Sequence, residues 1–393
     1  MKAKSSLTIL GLIMLVNALS YGTIIPLLYP YSAKFGIDAT GLSFLFASFS
    51  IAQFLATPIL GRLSDRFGRK PLLLLSLFGT SLSLALFASA QNVTMLFIAR
   101  ILDGITGGNI SVAQAAIADS TEGEERAKAF GLLGAAFGFG FLFGPAMGGL
   151  LSQISITAPF WFAASLALVG TILGYFFLSE TLPKEKRQTA KQPLFNFSQM
   201  IQALLSPTVG IVLLLSFLTA CALNAWIIGF QSFTVDILKL SARDVGLFFS
   251  TFGLISIIMQ AVGIGLIIKK VPNKSLILCG SLLLTSLSLI SILPATTFVP
   301  FFIVVAIYGI VNSPQMPMIT AIISERTKAE DQGGILGVNQ SYVSLGQIVG
   351  PLLAGAVATY SVRSVFGLAL FITLTALIAS RWLFIPARKK VDL

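Results

Sequence analysis

Gly61-Arg62-Leu63-Ser64-Asp65-Arg66-Phe67-Gly68-Arg69-Lys70-Pro71 stands between two runs, 41–60 and 72–90, that hold no charged residue. Each run is close to the ~20 residues that a helix needs to cross about 30 Å of hydrocarbon. A short polar stretch between two such runs is a hairpin at a membrane surface. Gly61 and Gly68 are expected to permit its tight turn. The four cations of this stretch fit the basic side of a membrane. They do not account for Asp65 standing alone among them.

Further runs of the same kind follow along the chain. Twelve are read, near 7–29, 41–61, 72–90, 94–118, 127–152, 159–179, 208–232, 245–268, 275–293, 298–323, 333–356 and 362–384. The first is too long for a signal-peptide core of roughly 7–15 residues, and Asn17, Pro26 and Pro30 fit a retained helix. Composition agrees: 55% of the 393 residues are hydrophobic and only 10% are charged, against roughly 25% in a soluble domain. The class is a polytopic all-α membrane protein. The net charge of +11 is no nucleic-acid footprint, because the basic residues lie between apolar runs rather than on one solvated face. With no histidine in the chain, a three-His zinc site and Ser-His or Cys-His catalysis are excluded. No metal, cofactor or enzyme activity is expected. Cys221 and Cys279 sit inside apolar runs, which argues against a disulfide framework.

Lys and Arg set the orientation. With the N-terminus in the cytoplasm, 21 of the 26 fall in inside segments and four, Lys34, Lys239, Arg243 and Arg363, fall outside. Both termini are therefore expected in the cytoplasm. The stretch from Glu180 to Ser206 is the longest between spans. It begins with Lys184, Glu185, Lys186, Arg187 and Lys191, and it ends in an apolar, helix-spaced piece suited to the inner membrane surface. We read it as a linker, 181–206, between six-helix bundles at 1–180 and 207–393.

The two halves repeat each other. Gly140-x3-Gly144-Pro145 returns as Gly346-x3-Gly350-Pro351, 206 residues later, and at the same offset Asp119 falls on Glu325, Glu125 on Asp331 and Gly131 on Gly337. At an offset of 204, Gly61 and Lys70 fall on Gly265 and Lys274. Repeated six-helix halves suggest a transporter that rocks one half against the other around a midplane site.

Three motifs now carry a resemblance. The 61–71 stretch, Arg100-x3-Gly104-x2-Gly107, and Gly140-Phe-Leu-Phe-Gly144-Pro145-Ala-Met-Gly148-Gly149 together resemble the major facilitator superfamily. The last is similar to the motif of its drug/proton antiporter branch, and 98–149 looks like the tetracycline/proton antiporters. The resemblance is continuous in the first half and patchy in the second. It implies the major facilitator fold, alternating access, a proton gradient in place of any cofactor, and a bacterial-type inner membrane. It assigns a gating loop to Gly61, Asp65, Arg66, Gly68, Arg69 and Lys70, with Asp65 and Arg69 latching the cytoplasmic side. The fifth-span motif, Gly140, Gly144, Pro145, Gly148 and Gly149, becomes a hinge. Glycines four apart let helix backbones approach closely, and Pro145 is expected to kink the helix.

Of the 41 charged residues, only Arg100 and Asp103 fall well within a span. Three apart, they share a helix face and can pair. Counted from Thr94 at ~1.5 Å per residue, they lie about 9 Å and 13 Å deep. Each charge costs at least ~2.5–3.5 kcal/mol there, so the pair is expected to work. Two roles stand open: Asp103 exchanges the coupling proton while Arg100 tunes it, or the pair is a permanent neutral clasp. The resemblance implicates the span-four arginine, Arg100, in proton coupling.

The tetracycline antiporters carry an aspartate in mid-span one and another in span three; this chain has Asn17 and Ser83 there. Neither can exchange a proton or hold a metal chelate's charge, so tetracycline–metal export is not expected. By the resemblance, spans one, four, seven and ten line the cavity. They offer Asn17, Tyr21, Asn109, Asn224, Trp226, Gln231, Tyr308, Asn312 and Gln315, and spans five and eleven add Phe137, Phe141, Asn339 and Gln340. Neutral amides and aromatics suit a bulky amphipathic molecule. Pro314 and Pro317 are expected to disrupt span ten beside Asn312 and Gln315. The expectation is a monomeric, proton-coupled multidrug-type exporter. Importers of metabolites or siderophores and lipid flippases share the fold.

Overall fold

The computed structural model describes residues 2–107, 109–121, 123–187, 197–328 and 331–384. Among them the regular structure is entirely helical, and twelve helices are long and apolar enough to cross a membrane. Spans one to six are Thr8–Phe35, Ala39–Phe67, Arg69–Ala88, Val93–Ser120, Lys128–Leu151 and Ala158–Phe177. Spans seven to twelve are Gly210–Ile237, Ala242–Lys270, Lys274–Ile292, Phe298–Arg326, Gly334–Ala358 and Val362–Phe384. Each matches one of the runs read from the sequence. Leu75, Phe78 and Leu82 form a stripe on span three, 57%, 50% and 52% exposed. Water would not tolerate such a stripe, repeated on most spans; lipid does.

Side chains cap the helix starts where the loops are short. The Asn92 side chain accepts from Met95 N at 3.0 Å, and those of Asn273 and Ser361 do the same for spans nine and twelve. The turn between spans two and three is tighter than expected. Span two stays helical through Phe67, so Gly61 lies within a helix and the reversal falls on Gly68 alone, at φ 110°. Residues 62–67, four of them polar, extend the helix beyond its apolar run. Within 61–71 it is Gly68 alone that adopts a positive-φ conformation disfavoured for other residues.

Span one passes into a 3-10 turn at Ile25–Leu27, around Pro26, and resumes at Leu28–Ser32; spans four and ten are each divided into two longer helices. Span four is Val93–Thr106 followed by Asn109–Ser120, and span ten is Phe298–Asn312 followed by Gln315–Arg326. Pro314 accounts for the second break and glycine at 107 for the first. The paired helix ends, 106 with 312 and 120 with 326, are each 206 residues apart, so the sequence repeat is also a repeat of helix architecture. Span five, by contrast, runs as one helix through Pro145.

Contacts divide the chain into two compact units, and these differ from the sequence halves at two places. Unit one gathers Met1–Ile37, Ser48–Leu194 and Leu240–Gly253; unit two gathers Asp38–Ala47, Phe195–Lys239 and Leu254–Leu393. Glycine explains both exchanges. In unit one a Cβ on Gly246 would meet Pro145 O at 2.5 Å, and one on Gly253 would meet Phe141 O at 2.5 Å. In unit two a Cβ on Gly355 would meet Ser43 Cβ at 2.8 Å, and Thr40 donates to Gly355 O at 3.2 Å. Each unit has its own apolar core, built around Leu10, Ile13, Leu73, Leu77 and Val112 in one and Val212, Leu215, Leu278, Ile319 and Ile323 in the other. Helix Phe197–Leu205, at the end of the linker, belongs to unit two and leaves Ile201 58% and Leu205 75% exposed. Residues 188–196 of the linker lie outside the described residues.

Candidate functional site

Arg69 organises the start of span three. Its guanidinium reaches Asp65 Oδ1 at 2.6 Å and Asp119 Oδ2, at the end of span four, at 2.8 Å. It also donates to Ser64 Oγ at 2.6 Å. The side chain is only 9% exposed, so two carboxylates and a hydroxyl compensate a cation largely removed from water. Lys70 instead donates to Tyr175 O at 2.8 Å, and Arg66 lies over the Phe67 ring at 5.3 Å.

The sequence reading missed Glu180, which follows span six. Its Oε1 accepts from Arg69 N at 2.8 Å, Thr181 N at 3.0 Å and Leu182 N at 3.0 Å, and its Oε2 from Lys70 N at 3.3 Å. A carboxylate is thus seated on the open N–H groups of span three, where the helix dipole favours it. Gly68 makes room: a Cβ there would lie 2.2 Å from Glu180 Oε2. Asp119 is the repeat partner of Glu325, and the second half also ties these helix ends by an ion pair, though through the repeat partner of Lys70 rather than of Arg69. Lys274, at the start of span nine, pairs with Glu325 at the end of span ten.

Arg100 and Asp103 do pair. Nη1 of Arg100 meets Oδ2 of Asp103 at 2.8 Å, with side chains 4% and 7% exposed. The guanidinium carbon lies 4.1 Å from the centroid of the Phe49 ring on span two. Ser83 of span three stands against the carboxylate, and Leu84, Phe87, Ala99 and Phe160 wall the crevice around the pair. Beyond Phe49 lies Tyr21, at 6.3 Å between ring centroids, and Phe141 stands edge-on to Tyr21 at 6.1 Å. Unit one therefore brings together a buried ion pair and three aromatic rings from spans one, two and five. Asn17, one helical turn before Tyr21, is buried, and Phe137 packs against the apolar core.

The other candidates are spread through unit two. Trp226 and Tyr308, each 1% exposed, stack face to face at 4.4 Å and 10°. Gln315 Nε2 donates to Thr285 Oγ1 at 3.0 Å, tying span ten to span nine, and Asn339 accepts from Ser216, tying span eleven to span seven. Asn224 donates to Ala220 O of its own helix at 2.9 Å. Gln231 is fully buried, Asn312 is half-buried at the break, and Gln340 is exposed. The side chain of Asn109 lies outside the described residues.

Span five divides its glycines between two neighbours. A Cβ on Gly140 would meet Ala18 C at 2.4 Å, one on Gly144 would meet Gly22 C at 2.7 Å, and one on Gly148 would meet Thr23 O at 2.3 Å. That row faces span one. Gly149 faces span eight, where a Cβ would meet Arg243 O at 2.9 Å.

Comparison with known proteins bears on this arrangement. "Tetracycline resistance protein, class C" of Escherichia coli is 34% identical over 384 residues, covering 94% of this chain and 93% of that protein. "Multidrug resistance protein 2" of Bacillus subtilis (strain 168) is 30% identical over 369 residues, covering 92% and 91%. The crystal structure of the nucleoside transporter NupG superposes with a TM-score of 0.78 over 96% of this chain and 99% of that one, at 13% identity. The sequence pattern of the Major Facilitator Superfamily matches residues 10–272 and, a second time, 212–393. With twelve spans, a repeated architecture and a family match over nearly its whole length, the chain belongs to the Major Facilitator Superfamily.

Proposed function

We propose that the chain is a proton-coupled exporter of amphipathic small molecules, of the multidrug rather than the tetracycline–metal kind. The observation that carries this is the buried Arg100–Asp103 pair lying beside the Tyr21–Phe49–Phe141 rings. An ionisable pair beneath aromatic surface gives one site that can exchange a proton and one that can stack a flat apolar body. The relatives' names, tetracycline and multidrug resistance, support a drug-sized substrate. Asn17 and Ser83, neutral where the tetracycline antiporters carry aspartate, favour substrates that bring no metal chelate.

In this proposal Asp103 exchanges the proton, Arg100 sets how readily it does so, and the Asp65–Arg69–Asp119 network holds the cytoplasmic gate. The glycines of span five serve the rocking of two six-helix halves. The protein works as a monomer in the inner membrane with both termini in the cytoplasm, driven by the proton gradient without a cofactor.

Transport in proteoliposomes under an imposed pH gradient tests the proposal, using a panel of lipophilic cations, neutral drugs and metabolites. Substrate should move against the proton flux, and Asp103→Asn should abolish uphill movement while sparing substrate exchange at equal pH. Substrate that follows inward protons into right-side-out vesicles would overturn the export direction. Uphill transport surviving in Asp103→Asn would remove the proton role of that residue.

A further inference from the structure

We propose that Phe49, which belongs to none of the motifs, is a positioning residue that holds the Arg100 guanidinium on Asp103. This rests on the proton-coupled reading of the pair. Arg100 is 3% exposed and Phe49 is 7% exposed. The guanidinium carbon stands 4.1 Å over the Phe49 centroid while Nη1 bonds to Asp103 at 2.8 Å. Nε has no hydrogen-bond partner among the described residues. The aromatic face therefore does what a second acceptor would ordinarily do, and it fixes the plane of the cation.

The glycine spacing of span four is what puts the ring there. A Cβ on Gly104, one turn after Arg100, would lie 2.4 Å from Phe49 O. One turn after Phe49, Gln53 Nε2 donates to Gly107 O at 3.1 Å. Arg100-x3-Gly104-x2-Gly107 thus reads as a docking strip for span two: Gly104 admits the backbone of Phe49, Gly107 offers its carbonyl to Gln53, and the arginine receives the ring. The same ring touches Tyr21, so it joins the ion pair to the aromatic surface that a substrate would meet.

The ionisable groups that face Asp103 are Arg100 on its own span and Tyr21 on span one. Span three contributes the hydroxyl of Ser83, and span two the ring of Phe49. A well-placed guanidinium favours the carboxylate over the acid. Loosening it lets the acid persist to higher pH.

Infrared difference spectroscopy of the purified, liposome-reconstituted protein during a pH titration tests this without any substrate. The carboxyl band of Asp103 is assigned by its loss in Asp103→Asn, and the guanidinium band of Arg100 by its loss in Arg100→Gln. Phe49→Leu should move the Asp103 midpoint upward by about half a unit to one unit, roughly three- to tenfold in proton concentration. Phe49→Tyr should leave it unmoved. Arg100→Lys keeps the charge but lacks the planar face; it should give a similar shift, and should add little in the Phe49→Leu background. It also serves if Phe49→Leu accumulates poorly. An unmoved midpoint in Phe49→Leu, or full additivity of the two substitutions, overturns the positioning role. If Asp103 does not titrate at all, the proton-coupled reading falls, and the guanidinium band alone decides Phe49: it must shift in Phe49→Leu and not in Phe49→Tyr.

Discussion

Glu180 carries more of the gating region's structure than its place in the sequence announces. Four backbone N–H groups, at 2.8 to 3.3 Å, converge on one carboxylate. Glu180→Ala leaves the first turn of span three without its acceptor and should cost about 1 kcal/mol of stability, as loss of an N-cap does. Glu180→Gln keeps one acceptor oxygen and should cost less. Thermal unfolding in detergent, followed by tryptophan fluorescence, separates the two. Asp119→Asn should be the more damaging change, because Arg69 is buried and would keep one of its two carboxylates; a fall in folded yield at unchanged expression is the expected result. Arg100 and Asp103 were legible in the sequence because charge inside an apolar run is rare and costly. Phe49 was not, since it is one of 32 phenylalanines and its meaning lies in a cross-span distance. Gly61 misled: a glycine at the edge of an apolar run resembles a turn, yet the helix continues past it to Gly68.

At the scale of a helix, span five makes its own prediction. A side chain on Gly144 would strike the backbone of Gly22 at 2.7 Å, which cannot move aside as a flexible side chain can. Gly144→Val should therefore sharply reduce folded protein on size-exclusion chromatography. Gly131 and Gly134 lie on the same helix, and a Cβ added at either would meet nothing within 4 Å. Replacing either with alanine should be neutral or stabilising, by up to about 1 kcal/mol from helix propensity. The span limits were readable from hydropathy because lipid imposes a length. The break in span four was not, since glycines suit close packing and helix ends alike; proline made its counterpart in span ten visible.

At the scale of the whole molecule, the distribution of Lys and Arg makes the orientation testable. In a background carrying Cys221→Ala and Cys279→Ala, Lys184→Cys should react with a membrane-impermeant maleimide only from the cytoplasmic face. Lys239→Cys should react only from the outer face. The reverse pattern would invert the topology. Repeat and twelve spans were both legible in the sequence. The exchange of Leu240–Gly253 and Asp38–Ala47 between the contact units was not, because it depends on glycines whose partners lie far away along the chain. That exchange also sets a timetable for biosynthesis. The ribosome must pass residue 253 before unit one has all its parts, and Asp38–Ala47, among the first residues made, must wait for Gly355. The faces of Thr40–Ser43 on span two and Phe141–Gly149 on span five thus wait uncovered in the membrane for glycines made later, and a chain stalled after the sixth span should be a substrate for membrane quality-control proteases.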